Sequence, residues 1–336
     1  MDQPNPTIVF PAPGRVVIEE RTIPEPGPGQ LVVKTACTLI STGTELTILN
    51  GGTAPDSRWA QYGTFPFVPG YNNVGQVVGV GEGVDAAWIG RRVGSYGAHA
   101  AYICCSAAHV RTLPPEVNPE EAVFFTLAEI AMNGVRRGAV TWGEETVVFG
   151  LGLVGQLTAR FCHWAGARVV GVELSAQRRS LLPAAPRMCA IDPDQTDPSA
   201  YVREQTQGDM ADVAFEVTGA PDAIAGQVAT LRQQGRLVLV SSPRGATAQF
   251  DFHDLCNAPS ISIIGAHNSS HPPHPAPGAF TQHRHADLFF RLIASGELDV
   301  AALISHRAPF AQAPSLYDLL LRDRTQAMGV LLQWSD

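Results

Sequence analysis

Charged residues and long apolar runs are both scarce in this sequence of 336 residues. Charged residues make up 16% of it, the formal net charge is −8, and no block of lysines or arginines occurs. A nucleic-acid or anionic-membrane partner is therefore disfavoured, because no basic face is available to release counterions. No apolar run reaches the ~18 residues needed to cross a bilayer. The amino terminus also lacks the basic and apolar stretches of a signal peptide, so we expect neither membrane insertion nor secretion.

The six cysteines show no C-x-x-C pair and no spacing typical of a disulfide framework. The adjacent Cys104 and Cys105 cannot bridge comfortably. Free thiols of this kind are typical of a reducing compartment, so we expect a cytoplasmic protein. The length is sufficient for two domains, since single hydrophobic cores stop growing beyond ~250–300 residues.

The sequence pattern differs between the first and second parts of the chain. Up to about residue 115, short β-type runs alternate with glycine and proline turns, as in RVVIEE, QLVVKTACTLI and AHAAYICCS. This pattern of short strands and turns predicts a small, strongly bent β-barrel or sandwich. After the helical stretch PEEAVFFTLAEIAMNGVRRG, apolar strands such as EETVVFG, ARVVGVEL and ADVAFEVTG alternate with helical segments. That alternation predicts parallel strands joined by crossover helices, so the fold class is α/β.

One glycine-rich turn joins a strand to a helix in the second part. The strand VVF runs into Gly150-Leu151-Gly152-Leu153-Val154-Gly155, and a helix follows at once. Gly150 permits the tight turn, Gly152 lets backbone approach a pyrophosphate, and Gly155 lets the helix pack on the strand. The N–H groups at the helix start, where Leu153 and Val154 lie, then face the anion. The pattern in this context predicts a dinucleotide site of the Rossmann type.

Glu173 ends the next strand, ARVVGVE, 18 residues after Gly155. A carboxylate there can accept hydrogen bonds from both adenosine ribose hydroxyls, and it would repel a 2′-phosphate. Arg178 and Arg179 complicate the choice, since a nearby guanidinium can accommodate a 2′-phosphate. We therefore favour NAD over NADP as the cofactor, keep NADP as the alternative, and count Arg178 among the cofactor-binding candidates.

The order of these segments resembles the medium-chain dehydrogenase/reductase superfamily over nearly the whole chain. The matching stretches are ISTGTELTILNGG, FPFVPGYNNVGQVVGVGEGV, GRRVGSYGAHAAYI, the Gly150 turn and LIASGELDVAALISHR. The pairing of S-T-G-T-E-L with P-G-Y-N-x-V-G is most similar to the zinc-lacking branch that includes bacteriochlorophyllide-a dehydrogenase. The resemblance implies a GroES-like β-barrel domain, residues 1–120 completed by 296–336, and a Rossmann domain, residues 121–295. It also implies an active site in the cleft between them.

The sequence departs from the zinc-dependent relatives at each metal position. Thr42 stands where they carry a catalytic cysteine, and Tyr71 stands where they carry the histidine of P-G-H-E. Their third ligand aligns approximately with Thr126, and GRRVGSYGAHAAYI passes without cysteine through the place of their structural-zinc lobe. Neutral hydroxyls cannot replace thiolate and imidazole as zinc ligands, so we expect neither zinc site.

Without a Lewis acid, hydrogen bonds and proton transfer must act on the substrate oxygen. Tyr71 is the first catalytic candidate, because its phenol would project where the resemblance places the metal. Thr44 matches the hydroxyl that relays protons in zinc relatives, Glu45 follows it, and Thr42 either joins the site or only fills space. Tyr71 and Thr44 could each instead be packed side chains whose hydroxyls are satisfied elsewhere.

Three further residues are candidates for a substrate pocket. Trp59 and Tyr62 lie on the loop after NGG and could either wall a pocket or anchor that loop. His267 opens a histidine-rich irregular segment that also holds His271, His274, His283 and His285. Their spacing follows no structural-zinc pattern. We expect a polar loop that closes over the substrate, with a solvated or interface loop as the alternative.

The resemblance also places two turns and one strand. The turns at Thr218, after ADVAFEV, and at Ser241, after GRLVLV, are expected to flank the cofactor. SISIIGA resembles the edge strand through which family members extend their sheet across a two-fold axis. Because an unpaired apolar edge is a liability unless it is covered, we expect a homodimer.

The expected reaction is reversible hydride transfer between NAD(P) and a secondary alcohol or ketone, with a small molecule as substrate. A second hypothesis is NADPH-dependent reduction of an activated C=C bond, as in zinc-free quinone and enoyl reductases of the superfamily. Glu173 argues against it, since such reductases usually prefer the phosphorylated cofactor. A third hypothesis is a non-catalytic dinucleotide sensor.

Overall fold

The structure is a computed structural model, and it describes residues 4–334. Its contacts divide the chain into two compact units. Unit 1 comprises residues up to 126 and those from 283 onward, and unit 2 comprises residues 127–282. The sequence-based division instead gives residues 121–126 and 283–295 to the Rossmann domain. Residues 283–294 go with unit 1, where the Phe290 ring packs against Phe125 with a centroid distance of 5.8 Å.

Unit 1 is built mainly from short antiparallel strands. β1 (Pro4–Ala12) and β2 (Arg15–Thr22) form a two-stranded sheet. The strands of the larger sheet are β3 (Gln30–Leu39), β4 (Asn73–Val80), β5 (Arg92–Ser95), β6 (Tyr102–Ser106), β7 (Arg111–Thr112), β14 (Ile304–Pro309) and β15 (Gly329–Gln333). Their order is β14-β15-β3-β4-β5-β7, and β6 joins by pairing with β3. The predicted β domain is therefore confirmed, and the last part of the chain completes its sheet.

Unit 1 also contains helices of 4 to 13 residues. They are α1 (Thr44–Asn50), α2 (Arg58–Tyr62), α3 (Pro119–Ala122), α9 (Gln282–Ala294) and α10 (Ala313–Arg322). α3 begins where the Asn118 side chain accepts a hydrogen bond from the Glu120 N–H and Pro119 occupies the first turn. α1 and α10 bury apolar side chains in one shared core, Leu46, Ile48 and Leu49 from the first and Leu316, Tyr317 and Leu320 from the second. Packing between these two helices brings distant parts of the sequence together.

Unit 2 contains the parallel sheet that the alternating pattern predicts. Its strands are β8 (Glu145–Phe149), β9 (Arg168–Val172), β10 (Met188–Ile191), β11 (Ala211–Glu216), β12 (Leu231–Leu239) and β13 (Ser262–Gly265). Every neighbouring pair is parallel, in the order β10-β9-β8-β11-β12-β13. The strand order reverses between β8 and β11, and open sheets of this kind bind ligands beyond the carboxyl ends of the strands at that point. The Rossmann arrangement is confirmed.

The helices of unit 2 are α4 (Phe125–Arg137, which begins at the boundary), α5 (Leu153–Trp164), α6 (Ala176–Ser180), α7 (Pro198–Gln205) and α8 (Ile224–Val228). A π-helical turn follows at His253–Asn257. Short 3-10 turns across both units lie at Ala86–Trp88, Ala107–His109, Pro221–Ala223, Asn268–Ser270, Ala301–Leu303, Phe310–Gln312 and Arg324–Gln326. Between residues 4 and 334, no helix has both the length and the apolar character that a bilayer crossing requires.

Candidate active site

The glycine turn connects β8 to α5 with very little space to spare. Gly150 has a φ of +90°, in the region that favours glycine. A Cβ atom on Gly155 would lie 1.8 Å from the carbonyl oxygen of Gly150. Only glycine at residue 155 lets α5 start directly against the turn, as the sequence pattern predicts.

The start of α5 is open to a ligand. Gly152 is the N-cap residue, and no side chain of the described residues caps the helix there. A Cβ atom built on Gly152 would meet nothing within 4 Å. The N–H groups of Leu153 and Val154 are thus in the first turn of a 12-residue helix whose dipole favours an anion. This cradle fits the pyrophosphate of a dinucleotide.

The Glu173 carboxylate lies beside the glycine turn and is nearly buried. One of its oxygens accepts a hydrogen bond from Leu151 N at 2.8 Å, and the other accepts one from Ser175 N at 3.0 Å. Each oxygen keeps a lone pair for a further donor such as a ribose hydroxyl. An Arg178 guanidinium nitrogen lies 4.0 Å from the same carboxylate. Arg178 therefore lies close to Glu173, the other candidate for contact with the adenosine ribose.

Arg179 has a different place. Its guanidinium donates to the carbonyl oxygens of Glu173 at 2.7 Å and Leu174 at 2.6 Å, and it pairs with Asp192 at 3.0 Å. These contacts brace the strand end that carries Glu173. A guanidinium held in this way is a poor site for a 2′-phosphate, because its donors are already directed at backbone and carboxylate oxygens.

The predicted cofactor residues Thr218 and Ser241 share one partner that the sequence analysis missed. Both hydroxyls donate to the carboxylate of Glu216, which ends β11 and is fully buried. The N–H groups of Thr218 and Gly219 donate to the same carboxylate at 2.7 and 3.0 Å. Glu216 therefore ties together the turns that follow β11 and β12.

In unit 1, three hydroxyl groups meet around Tyr71. The Tyr71 hydroxyl is hydrogen-bonded to the Ser41 hydroxyl, and it donates to Thr44 Oγ1 at 3.4 Å. The Thr126 hydroxyl donates to the Tyr71 carbonyl oxygen at 3.2 Å. The structure thus brings the candidates Tyr71 and Thr44 together, and it adds Ser41, which the sequence analysis did not select.

The approach of the chain to Tyr71 depends on Gly70. Its φ is +106°, and a Cβ atom there would lie 2.5 Å from the backbone nitrogen of His99. Glycine is required because no side chain fits between these two segments.

Thr42 is half-buried, and none of the hydrogen bonds within residues 4–334 involves its hydroxyl, so its space-filling interpretation is the simpler one.

Burial raises the pKa of Tyr71 to about 12; the charge of Glu45 adds to the rise, and the hydrogen bonds with Ser41 and Thr44 oppose it. A phenol with such a pKa stays protonated at neutral pH. In chemical terms the cluster is a proton donor with two neighbouring hydroxyls that can resupply it.

Glu45 lies behind this cluster and is 1% exposed. Its carboxylate accepts from Ser41 N at 3.1 Å and from the Tyr317 hydroxyl at 2.5 Å, and it lies 3.2 Å from His99 Nε2. Burial, followed by the charge of Glu45, raises the pKa of Tyr317 well above its ordinary value. Glu45 thus holds the Ser41 backbone in place, and the sequence analysis did not foresee that it pairs with His99 and Tyr317.

The three pocket candidates differ in their surroundings. Trp59 is half-buried against the core of unit 1, which favours the loop-anchoring interpretation. Tyr62 is 56% exposed, and its ring packs edge-on against Phe67 with a centroid distance of 5.7 Å. His267, in unit 2, is exposed, and its Nδ1 is hydrogen-bonded to the Ser269 hydroxyl at 2.8 Å.

The donor set at the Tyr71 cluster does not fit zinc. Its side-chain groups are the neutral oxygens of a phenol and two alcohols, whereas protein zinc sites use thiolate, imidazole and carboxylate. Across the part of the chain that the structure describes, no group of three or more histidine, cysteine, aspartate or glutamate side chains is arranged to hold a metal ion.

Comparison with known proteins adds the family context. The family described as alcohol dehydrogenase GroES-like domain matches residues 27–125, and the family described as zinc-binding dehydrogenase matches residues 154–281. L-galactonate-5-dehydrogenase of Escherichia coli K12 is 25% identical over 95% of this chain and 96% of its own length. (R,R)-butanediol dehydrogenase of Bacillus subtilis is 31% identical over 53% of this chain and 59% of its own.

A solved structure shows the same fold. A short chain alcohol dehydrogenase of Escherichia coli CFT073, complexed with NADH, superimposes with a TM-score of 0.80 at 19% sequence identity. The match covers 98% of this chain and 99% of the other. At this identity the similarity speaks for the architecture alone.

Proposed function

Because the chain belongs to the medium-chain dehydrogenase/reductase superfamily, we propose that it is a zinc-independent oxidoreductase for a secondary alcohol or ketone. Bound NADH would supply the hydride in reduction, and bound NAD would accept it in oxidation. The observation that carries this proposal is the hydroxyl cluster centred on Tyr71. Tyr71 stands at a position where the sequence resemblance places a metal ligand in zinc relatives, and the donors of the cluster suit proton transfer to an oxygen.

Unit 2 supports the cofactor part of the proposal. The glycine turn from Gly150 to Gly155 and the first turn of α5 offer N–H groups to the pyrophosphate, and Glu173 offers carboxylate oxygens to the adenosine ribose. We propose NAD in preference to NADP, because the Glu173 carboxylate repels a 2′-phosphate and Arg179 is held by Asp192 and by backbone oxygens.

Unit 1 supports the proposed proton transfer to the substrate oxygen. In the direction of reduction, Tyr71 donates its proton to the carbonyl oxygen as hydride arrives at the carbonyl carbon. Thr44, which is partly exposed, or Ser41 then relays a proton from solvent back to Tyr71 along these hydrogen bonds, so that no hydroxyl is left deprotonated. The high pKa of Tyr71, about 12, keeps the phenol protonated, so that it can donate to the more basic alkoxide that forms as hydride arrives. In oxidation the same protons move in the opposite direction, and higher pH assists their release.

Glu45 acts in this scheme as a positioning residue and not as the group that touches substrate. Its carboxylate is enclosed by Tyr317, His99 and the Ser41 N–H. A buried carboxylate with these partners fixes the Ser41 backbone, and Ser41 in turn orients the Tyr71 hydroxyl.

The names of the relatives support the substrate class. The compounds in their names, L-galactonate and (R,R)-butanediol, both carry secondary hydroxyls. We propose a small polar molecule with a secondary alcohol or ketone for this chain as well.

We further propose that the protein is a cytoplasmic homodimer. β13 is an edge strand that pairs with β12 on one side, and Ile263 on it is 40% exposed. An exposed apolar strand edge is stabilised when a second copy continues the sheet. All six cysteines are free, which agrees with a reducing compartment.

The test combines substrate screening with metal analysis. The purified protein is assayed with NAD and NADP against secondary alcohols, ketones and enones, before and after exhaustive treatment with a chelator. We expect turnover of an alcohol or ketone that survives chelation, and zinc well below one equivalent. Activity restricted to enones would favour the C=C reductase hypothesis. Stoichiometric zinc together with loss of activity on chelation would contradict the proposal.

A further inference from the structure

The buried carboxylate of Glu216 controls which way two hydroxyl groups in the cofactor half of unit 2 point. Glu216 lies at the carboxyl end of β11, and Ser241 follows β12. In a doubly wound sheet with this strand order, the half that contains β11, β12 and β13 takes the second mononucleotide of the cofactor, which carries the nicotinamide.

A carboxylate accepts hydrogen bonds and has no proton to donate. The hydroxyls of Thr218 and Ser241 therefore both use their protons on Glu216. Thr218 Oγ1 also accepts from Ala220 N at 3.0 Å, so little of its capacity is left. Ser241 Oγ differs, because no described group donates to it and its side chain is partly exposed. Ser241 is thus a hydrogen-bond acceptor that cannot donate to a ligand.

An acceptor-only group selects for a donor-only partner. The carboxamide NH₂ of nicotinamide is such a partner, whereas ribose hydroxyls can both donate and accept and need no fixed acceptor. We propose that Glu216 is a positioning residue that holds Ser241 as the acceptor for the nicotinamide carboxamide N–H. This inference rests on the proposed use of a nicotinamide cofactor.

The test compares two dinucleotides by titration calorimetry. One is NAD, and the other is its 3-acetylpyridine analogue, in which a methyl ketone replaces the carboxamide and no N–H is present. Ser241→Ala should weaken NAD binding by about three- to tenfold, the effect of one hydrogen bond, and leave analogue binding within about twofold. Ser241→Thr keeps the hydroxyl and should restore the preference for NAD.

Glu216→Gln tests the positioning role without removing Ser241. The backbone N–H groups of Thr218 and Gly219 can only donate, so the glutamine oxygen must stay beside them as the acceptor. The amide NH₂ of the glutamine then faces Ser241. Ser241 then turns its proton toward the ligand, and the preference for NAD over the analogue should fall as in Ser241→Ala. Thr218→Val is the matched control, since it removes the other hydroxyl donor to Glu216 and should keep the wild-type preference.

The outcomes separate this inference from the proposed function. Equal weakening of NAD and the analogue by Ser241→Ala, or an unchanged preference in Glu216→Gln, would overturn the inference while NAD binding itself stood. Should Glu216→Gln fail to fold, Ser241→Ala and Ser241→Thr still decide whether the Ser241 hydroxyl accepts the carboxamide N–H. Absence of binding of either dinucleotide to the wild-type protein would instead refute the cofactor assignment.

Discussion

Replacement of Tyr71 by phenylalanine tests the proposed role of this residue as the proton donor. The substitution removes the phenolic proton and keeps the ring that packs in its place. General acid catalysis by a positioned side chain is worth about 10²–10⁴-fold in rate, or roughly 3–5 kcal/mol of activation free energy. We therefore expect kcat for ketone reduction by NADH to fall by about 10²-fold or more, with a smaller change in KM.

The same substitution also removes the hydrogen bonds of Tyr71 to Ser41 and Thr44. Their loss should cost about 1–3 kcal/mol in the free energy of unfolding, because the partner hydroxyls are left partly unsatisfied. Thermal unfolding measures this effect separately from turnover. Thr44→Val is the control: it loses one neighbour of Tyr71 but keeps the phenol, and its kcat should fall less.

The pH profile gives a second readout of the same residue. Burial raises the pKa of Tyr71 to about 12, so the phenol stays protonated throughout the range in which enzymes are usually assayed. The wild-type reduction rate should show no decline from ionisation of Tyr71 below about pH 10, the ordinary pKa of tyrosine. A Tyr71→Phe variant with kcat within twofold of wild type would refute the assignment of Tyr71 as proton donor.

Further predictions concern the cofactor turn and the sheet edge. Gly152→Ala places a Cβ in the open space at the helix start, so NAD binding measured by calorimetry should weaken at least about tenfold with little change in melting temperature. Gly155→Ala forces a Cβ against the Gly150 carbonyl oxygen and should lower the free energy of unfolding by about 1–3 kcal/mol or more, measured by denaturant unfolding. Glu173→Gln should reduce the ratio of kcat/KM for NAD to that for NADP, because a neutral amide no longer repels a 2′-phosphate; an unchanged ratio would remove Glu173 from cofactor selection. Ile263→Asp should convert the proposed dimer to a monomer in light-scattering chromatography, and a monomeric wild type would contradict the proposed edge pairing.

The features that the sequence predicted well depend on neighbouring residues. The turn from Gly150 to Gly155 needs a strand before it, three glycines and a helix after it, and all of these lie within one short segment. The alternating strands of unit 2 follow in the same way from local hydrophobic pattern and chain order.

The residues that the sequence analysis missed owe their roles to distant partners. Tyr317 bonds to Glu45 across 272 positions of the chain, and Ser241 meets Glu216 across 25. No local pattern shows that a buried carboxylate will find such donors. The helix that carries Tyr317 is different, since the spacing of Leu316, Tyr317 and Leu320 after Pro314 is itself typical of an amphipathic helix and could have predicted it.

Titration calorimetry of the wild-type protein with NAD and NADP is the decisive measurement, because the proposed hydride transfer requires a dinucleotide on the turn before α5. We predict saturable binding of one NAD per chain, tighter than that of NADP. If neither dinucleotide produced a binding signal with folded protein, the assignment of this turn as a cofactor site would be contradicted.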